Sequence, residues 1–478
     1  MKAWEYIHTM TQTAIPQVLS EEDQSWDMMR ELGKSADALL KARWSSSVPG
    51  SAAPESLIAG AVQSMENMGR QVDDAERLLE EGLRALEAGD IQKLHIITAR
   101  LWNCLETLPL NPRSPYWEYT AYRTFGKYER AVSLPPSVPV DARSDDFYDR
   151  TRAAWAGRIA GGALGTALEG YTTAQLRKQF GDIRGYVRKP NTYNDDITFE
   201  IAFLTACVQK GRLLGSADIA DQWLALIPAG WSAEQIALDN LRRGIYPPDP
   251  CSDAIDLWTG DLFSFPASGS WRNPYREWIG AQMRGAICGQ VAPGNPREAA
   301  RLAWLDGTIS HTGNGVLGEV FNALLVSLAF IESDMRRCLD RAIALIPADS
   351  EYYAAIHFAR QQAEAADFEA AWAACEERFK QYNWIHAYPN AAAEVVALWF
   401  GNGDFDETMR CIALCGQDVD CNAAQIAAAL GAQQGCSAIH ERWFLGETVQ
   451  TYMRGKLEHS TLKFLTDQTV AAAALLKQ

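Results

Sequence analysis

Two acidic clusters have the residue types that could hold a hard divalent cation: Asn194-Asp195-Asp196-Ile197-Thr198 and Asp418-Val419-Asp420-Cys421-Asn422. Each is followed directly by apolar residues at helical spacing, which puts both at helix starts. An ion such as Mg2+ takes several oxygen ligands from carboxylates, hydroxyls and amide carbonyls, and the two clusters brought together could supply them. Helix capping accounts equally well for either cluster taken singly. Asp or Asn in a first turn accepts orphan amide protons and is favoured by the helix dipole.

Two further segments could serve such a centre. Gly157 to Gly170 is a run of small residues with helical character that closes on Glu169, a site carboxylate or a solvated helix-end residue. The segment Asp306 to Gly315 contains Ser310-His311-Thr312 and a turn of Gly313, Asn314 and Gly315. Such a turn can present backbone amides to a phosphate or a sugar. His311 alone fits a hydrogen-bonded interior histidine as well as a catalytic one.

The elements that must position these residues are helices. Ala75, Leu78, Leu79, Leu83 and Leu86 recur at helical spacing with charges between. Further helices are predicted within Trp4 to Ala42, interrupted near Pro16, and over Pro54 to Met68 and Ile91 to Leu105. Residues 1–108 thus read as a small helical unit. Pro109, Pro112, Pro115, Pro135, Pro136 and Pro139 then mark a surface-hugging connector over 109–146. From 147 to 478 alanine-rich helices alternate with short Gly, Pro and Asp punctuation, among them Ile197 to Val208, Val316 to Glu332, Glu351 to Phe379 and Ala423 to Gln433. This body is expected to be an all-α orthogonal bundle, with loops at helix starts converging on one site.

Composition narrows the function classes. With 478 residues, 47% apolar and 22% charged, the chain is an ordinary globular sequence long enough for two or three domains. Its net charge of −16 repels phosphate backbones and anionic membranes, so neither nucleic acid nor a membrane surface is an expected partner. The ten cysteines form no CxxC pair and read as reduced thiols; Cys411, Cys415, Cys421 and Cys436 with His440 match no common zinc spacing. Neither a secretory leader nor a long apolar span is evident, and a cytoplasmic location is expected. His386 and Asn390, and the aromatic set Trp271, Tyr275 and Trp278, fit structural roles better than ligand contacts.

Taken together and in order, these segments resemble the ADP-ribosylglycohydrolase family from about Tyr148 to Gly435. The similarity includes Glu169, Asp195-Asp196, Gly280-Ala281-Gln282-Met283-Arg284, Pro293-Gly294-Asn295-Pro296, the Ser310-His311 turn and Gly416 to Asp420. The resemblance implies an all-α fold with one or two Mg2+ ions, Mn2+ being an alternative, held by Asn194, Asp195, Asp196, Asp418, Asp420 and Cys421. It also implies that Glu169 and Asp196 are catalytic and that His311, Gly313, Asn314 and Gly315 line the ribose and phosphate pocket. The sequence departs from the family pattern at Asn194 and Ile197, where Thr or Ser is usual, and at Gly162 and Gly285-Ala286, where an acid is usual. Cys421 replaces Thr or Ser, and a thiol is a poor Mg2+ ligand. Three functions follow: a Mg2+-dependent glycohydrolase acting on an ADP-ribosyl or related ribofuranosyl bond, including that of an ADP-ribosylated protein; a hydrolase of another pentofuranoside; or a noncatalytic binder of ADP-ribose-like ligands. The helical N-terminal unit and the oligomeric state are left open.

Overall fold

The computed structural model describes residues 1–24, 26–252 and 255–477. Helices α1 (Ala3–Thr13), α2 (Asp27–Trp44), α3 (Leu57–Asn67), α4 (Asp73–Glu87) and α5 (Ile91–Thr107) come first, and α6 (Phe125–Ala131) follows. The body comprises α7 (Asp145–Gly165), α8 (Thr173–Phe180), α9 (Asp195–Lys210), α10 (Ser216–Leu226), α11 (Ser232–Arg242), α12 (Gly285–Val291), α13 (Pro296–Gly307) and α14 (Asn314–Ala329). It continues through α15 (Met335–Ile343), α16 (Glu351–Ala365), α17 (Phe368–Phe379), α18 (Ala387–Gly401), α19 (Phe405–Cys415), α20 (Val419–Gln434) and α21 (Leu462–Lys477). Strands among the described residues are confined to two short antiparallel hairpins, β1 (Ser46–Ser47) with β2 (Pro54–Glu55), and β3 (Thr448–Gln450) with β4 (His459–Thr461). The fold is all-α.

Local chemistry sets several boundaries differently from the sequence expectation. The small-residue helix stops at Gly165, and Glu169 lies in the turn beyond it, where its N–H donates to the Gly165 carbonyl. The stretch Glu351 to Phe379 is two helices, because Asp367 turns its carboxylate onto the Ala370 N–H and starts α17 afresh. The proline-rich stretch is not wholly extended. Thr124 caps α6, and Phe125 and Tyr128 are buried against the body. Asp145 and Asp146, capped by Ser144, already belong to α7.

The residues before α6 and the body share one continuous apolar core. Gly60 of α3 lies against the Trp278 ring, whose N–H donates to Ser64 Oγ at 2.7 Å, and the Tyr275 hydroxyl donates to the Leu57 carbonyl at 2.8 Å. Trp278 and Tyr275 are therefore core residues. By contrast α1 buries no residue.

The closest packing in the body is between α7 and α20. Gly157 faces Ala427, Gly161 faces Ala423, Gly165 faces Val419 and Asp420, and Gly431 faces Ala153, so the helices run antiparallel with backbone against backbone. A Cβ at any of these glycines would overlap main-chain atoms opposite. Glycine here removes the side-chain layer that ordinarily sets helix separation. Polar groups lock neighbouring helices in register: Arg158 of α7 pairs with Glu200 of α9, both fully buried, and Glu394 of α18 accepts from Gln282 Nε2 and Asn322 Nδ2 at 2.9 and 3.2 Å.

Two predictions follow from this packing. Gly161→Ala is expected to lower stability by about 2 kcal/mol or more in urea denaturation, whereas Gly33→Ala, in an open part of α2, is expected to be neutral or to stabilise by up to about 1 kcal/mol. Equal effects at the two glycines would contradict the seam. Burial pushes the Glu394 carboxyl up from 4.5 to about 8. A folded-state value above the unfolded one means that its contribution is complete below pH 4.5 and is lost as pH rises to about 8. Glu394→Gln is expected to flatten the fall in stability across that window, and a variant with the wild-type pH slope would refute the assignment.

Candidate active site: carboxylates at three chain turns

Three segments meet at the α7 and α20 seam: the turn after α7, the start of α9 and the start of α20. Gly416 and Gln417 both have positive φ, at 68° and 64°, and a Cβ on Gly416 would overlap the Tyr171 carbonyl. That sharp turn lets Gly170 N–H donate to the Gln417 carbonyl at 2.9 Å and Gln417 N–H donate to the Tyr171 carbonyl at 3.3 Å. Asn390 of α18 holds the start of α20. Its Oδ1 accepts from Asp418 N–H at 3.0 Å and from Asn422 Nδ2 at 2.7 Å, while its Nδ2 donates to the Trp384 and His386 carbonyls.

Carboxylate oxygens of Asp195, Asp196 and Asp420 lie within 4.8 Å of one another, and so do ligand atoms of Asp418, Asp420 and Cys421. Asp420 belongs to both groups. Asn194 caps α9 by accepting from Asp196 N–H at 2.7 Å, and its Nδ2 donates to Asp420 Oδ2 at 3.2 Å. The amide oxygen expected as a cation ligand is thus already the helix cap. Glu169 is hydrogen-bonded to Asp420. Asp195 is half-buried, and Glu169, Asp196, Asp418 and Asp420 are buried.

First-turn capping accounts for Asn194 and in part for Asp195 and for Asp420, whose Oδ1 accepts from the Cys421 N–H at 3.1 Å, but not for Asp196 and Asp418. Apart from the weak thiol donor of Cys421, neither oxygen of Asp196 has a hydrogen-bond partner among the described residues, nor has Asp418 Oδ1, although all are buried. Among the described residues none of the five carboxylates forms an ion pair with Lys, Arg or His. Burial, and then the charges of Asp420, Asp418 and Asp195, hold the Glu169 carboxyl well above its usual range. Asp196 and Asp418 are pushed up for the same reasons, and Asp195 rises to about 6 through burial and the Asp420 charge. Buried like charges with orphaned oxygens are costly without a compensating cation. The donor set therefore fits a divalent ion. Cys421 is buried beside Asp196 and Asp418, with its Sγ 3.7 Å from Met283 Sδ.

His311 and the turn after it contact residues other than the five acids. His311 is buried with Nδ1 2.7 Å from Ser310 Oγ and 3.9 Å from Glu234 Oε1, while its Nε2 has no partner. Burial and the nearby Arg284 keep the imidazole neutral by pushing its pKa well below the usual value. Glu234 stands between this histidine and the acids: it pairs with Arg284 at 3.2 Å and also feels the Asp195 charge. Gly315 presses on the Arg276 carbonyl. Gly313 and Asn314 line a separate cavity of about 380 Å3 to which none of the acid residues contributes. His386 caps α18 and, with burial pushing it down to about 3, is a neutral structural residue.

The sequence reading missed two contributors to the rim. Tyr452, after β3, interacts with Thr198 and lies near Asp195 and Asp196, and its ring is 5.9 Å from that of Tyr193. The β1 and β2 hairpin packs on the turn that carries Glu169: Tyr171 OH donates to the Ser51 carbonyl at 2.9 Å, and Ala53 abuts Gly170. Tyr193 adjoins Asn194 and was within reach of a sequence argument, whereas nothing in the local pattern links Tyr452 or Ser51 to the acids.

The profile of the ADP-ribosylglycohydrolase family matches residues 143–474, beyond the stretch of sequence resemblance and into α21, which packs on α7. An uncharacterized protein of Archaeoglobus fulgidus is 24% identical over 308 residues, covering 61% of this chain and 88% of that one. The solved structure of an ADP-ribosylglycohydrolase-related protein complex superposes with a TM-score of 0.45 and 19% identity over 70% of this chain and 100% of that one. A family match over more than half of the chain places this protein in the ADP-ribosylglycohydrolase family.

Proposed function

We propose that this protein is a divalent-cation-dependent glycohydrolase that cleaves an ADP-ribosyl or related ribofuranosyl bond. The observation that carries the proposal is the convergence of five carboxylates from three chain turns, with buried unpaired oxygens and no cationic partner among the described residues. Asp195, Asp196, Asp418, Asp420 and Cys421 would hold the ion, with the remaining lone pair of the Asn194 amide oxygen in reach. Mg2+ fits the oxygen donors, and Mn2+ fits them together with the thiol. A cation in this position supplies charge stabilisation and orientation for ribose hydroxyls and water.

The residues of the chain do the rest. Glu169 sits beside Asp420, where burial and neighbouring charge raise its proton affinity. In its ionised form this carboxylate, made more basic by its surroundings, would accept the proton of the attacking water. As the leaving group departs, the sugar gains oxocarbenium character, which the surrounding carboxylates stabilise. Tyr193 and Tyr452 offer ring faces at the rim for the substrate. His311 and the Gly313 to Gly315 turn are assigned to the phosphate end of the substrate, which would extend from the acids toward the separate cavity that Gly313 and Asn314 line. The substrate class is an ADP-ribose-like small molecule, free or attached to a protein. All ten cysteines are free thiols and no helix among the described residues is long and apolar enough to cross a membrane, which supports a cytoplasmic reading.

Thermal denaturation with added Mg2+ tests the proposal. Wild type is expected to gain about 3 kcal/mol at a cation concentration a hundredfold above Kd, with a further gain from ADP-ribose. Asp420→Ala is expected to lose both gains, and its hydrolysis of ADP-ribosyl substrates to fall at least about a hundredfold. A wild type indifferent to every divalent ion would leave the noncatalytic binder as the better account.

Cys421 gives a second expectation. Replacing the soft thiol by a hydroxyl in Cys421→Ser is expected to tighten Mg2+ roughly tenfold and to weaken Cd2+. Unchanged affinities for both ions would remove Cys421 from the donor set.

A further inference from the structure

The seam between the residues before α7 and the body encloses the cavity of about 380 Å3 that Gly313 and Asn314 line, within the usual size range of small-molecule pockets. Half of its wall comes from outside the family match, including Arg70, Tyr116, Trp117 and Arg123. Three arginines line it. Arg70 pairs with Asp261 at 2.5 Å and donates to the Leu108 carbonyl, but its buried Nε has no partner. Arg276 is only 4% exposed; its one hydrogen bond goes to the Asn273 carbonyl at 3.0 Å, and no carboxylate lies within ion-pair distance among the described residues. The Arg123 guanidinium, half-buried, has no ion pair or hydrogen bond among the described residues.

Two carboxylates line the same cavity. Asp261 is taken by Arg70, and Glu277 Oε1 accepts from Tyr116 OH at 3.1 Å and Asn314 Nδ2 at 3.2 Å. A cationic excess thus survives in a protein whose net charge is −16. Incompletely satisfied guanidiniums sharing one partly enclosed space match an oxyanion, which Arg binds with paired, charge-assisted hydrogen bonds. Above them the Trp117 ring is exposed, and its N–H is fixed on the Asn111 carbonyl at 2.9 Å. A fixed, exposed indole beside an anion site suits a planar ring.

We infer that this cavity binds a nucleoside phosphate, with its phosphate at Arg123 and Arg276 and its base on Trp117. The ligand is either the distal end of the substrate or a separate nucleotide. Binding at the cavity is independent of the cation centre, whereas its assignment to the substrate's own distal end rests on the proposed function.

The test is isothermal titration of the full-length protein with AMP and with inorganic phosphate, in EDTA so that no divalent ion contributes. Wild type is expected to bind both. Arg123→Gln is expected to weaken both about tenfold, Trp117→Ala to weaken AMP about tenfold and leave phosphate unchanged, and Asp420→Ala to alter neither. Both cavity variants change accessible side chains, and circular dichroism checks their fold. AMP acting as a competitive inhibitor of hydrolysis, with KM raised in Arg123→Gln and kcat retained, identifies the substrate's own distal end. Noncompetitive action with unchanged KM identifies a separate nucleotide; either result supports the cavity. No binding of either probe, or binding lost in Asp420→Ala and retained in Arg123→Gln, overturns the inference.

Discussion

The arrangement depends on the contact of α7 with α20. Glycines at 157, 161 and 165 remove one side-chain layer, alanines opposite keep the other thin, and the two backbones meet along the whole length of the pair. The consequence reaches the functional end of the seam. Gly165 lets Asp420 stand directly against the last turn of α7, and the turn that follows brings Glu169 to the same carboxylate. A bulkier seam would separate these acids by a side-chain thickness, beyond the reach of a shared ion.

The same geometry concentrates charge that the fold itself does not neutralise. The first turns of α9 and α20 offer their dipoles to the acids, which is worth only about 1 kcal/mol per group. Asp196 and Asp418 nonetheless keep unpaired oxygens in a buried setting. Several other buried charges are paired: Arg158 has Glu200, and Arg284 has Glu234, Asp306 and Glu319. The acids at the seam differ from these pairs in having no cationic side chain within ion-pair distance among the described residues, which is why a cation is proposed for them.

Much of this was legible in the sequence because it is local. Helical periodicity gave the class of the fold, and adjacent acids before an apolar run marked the two helix starts. Glu169 was readable as a site carboxylate, although the helix before it ends at Gly165, where Thr166 and the following turn close the last carbonyls. The split of Glu351 to Phe379 hinged on one capping aspartate inside a helix-favouring stretch. What could not be read was long-range placement. Tyr452 approaches Asp195 and Asp196 from a hairpin far along the chain, and Ser51 and Ala53 reach the Glu169 turn from the β1 and β2 hairpin between α2 and α3. That Gly313 and Asn314 line a cavity to which none of the acids contributes is likewise a matter of tertiary packing.

The central claim is that the seam end holds a divalent ion. Anomalous diffraction from crystals soaked in Mn2+, wild type beside Asp420→Ala, tests it most directly. The account predicts an anomalous peak within about 2.5 Å of carboxylate oxygens of Asp195, Asp196, Asp418 or Asp420, absent in the variant. A clean map at the seam end in wild type, or a peak that persists unchanged without the Asp420 carboxylate, would contradict it.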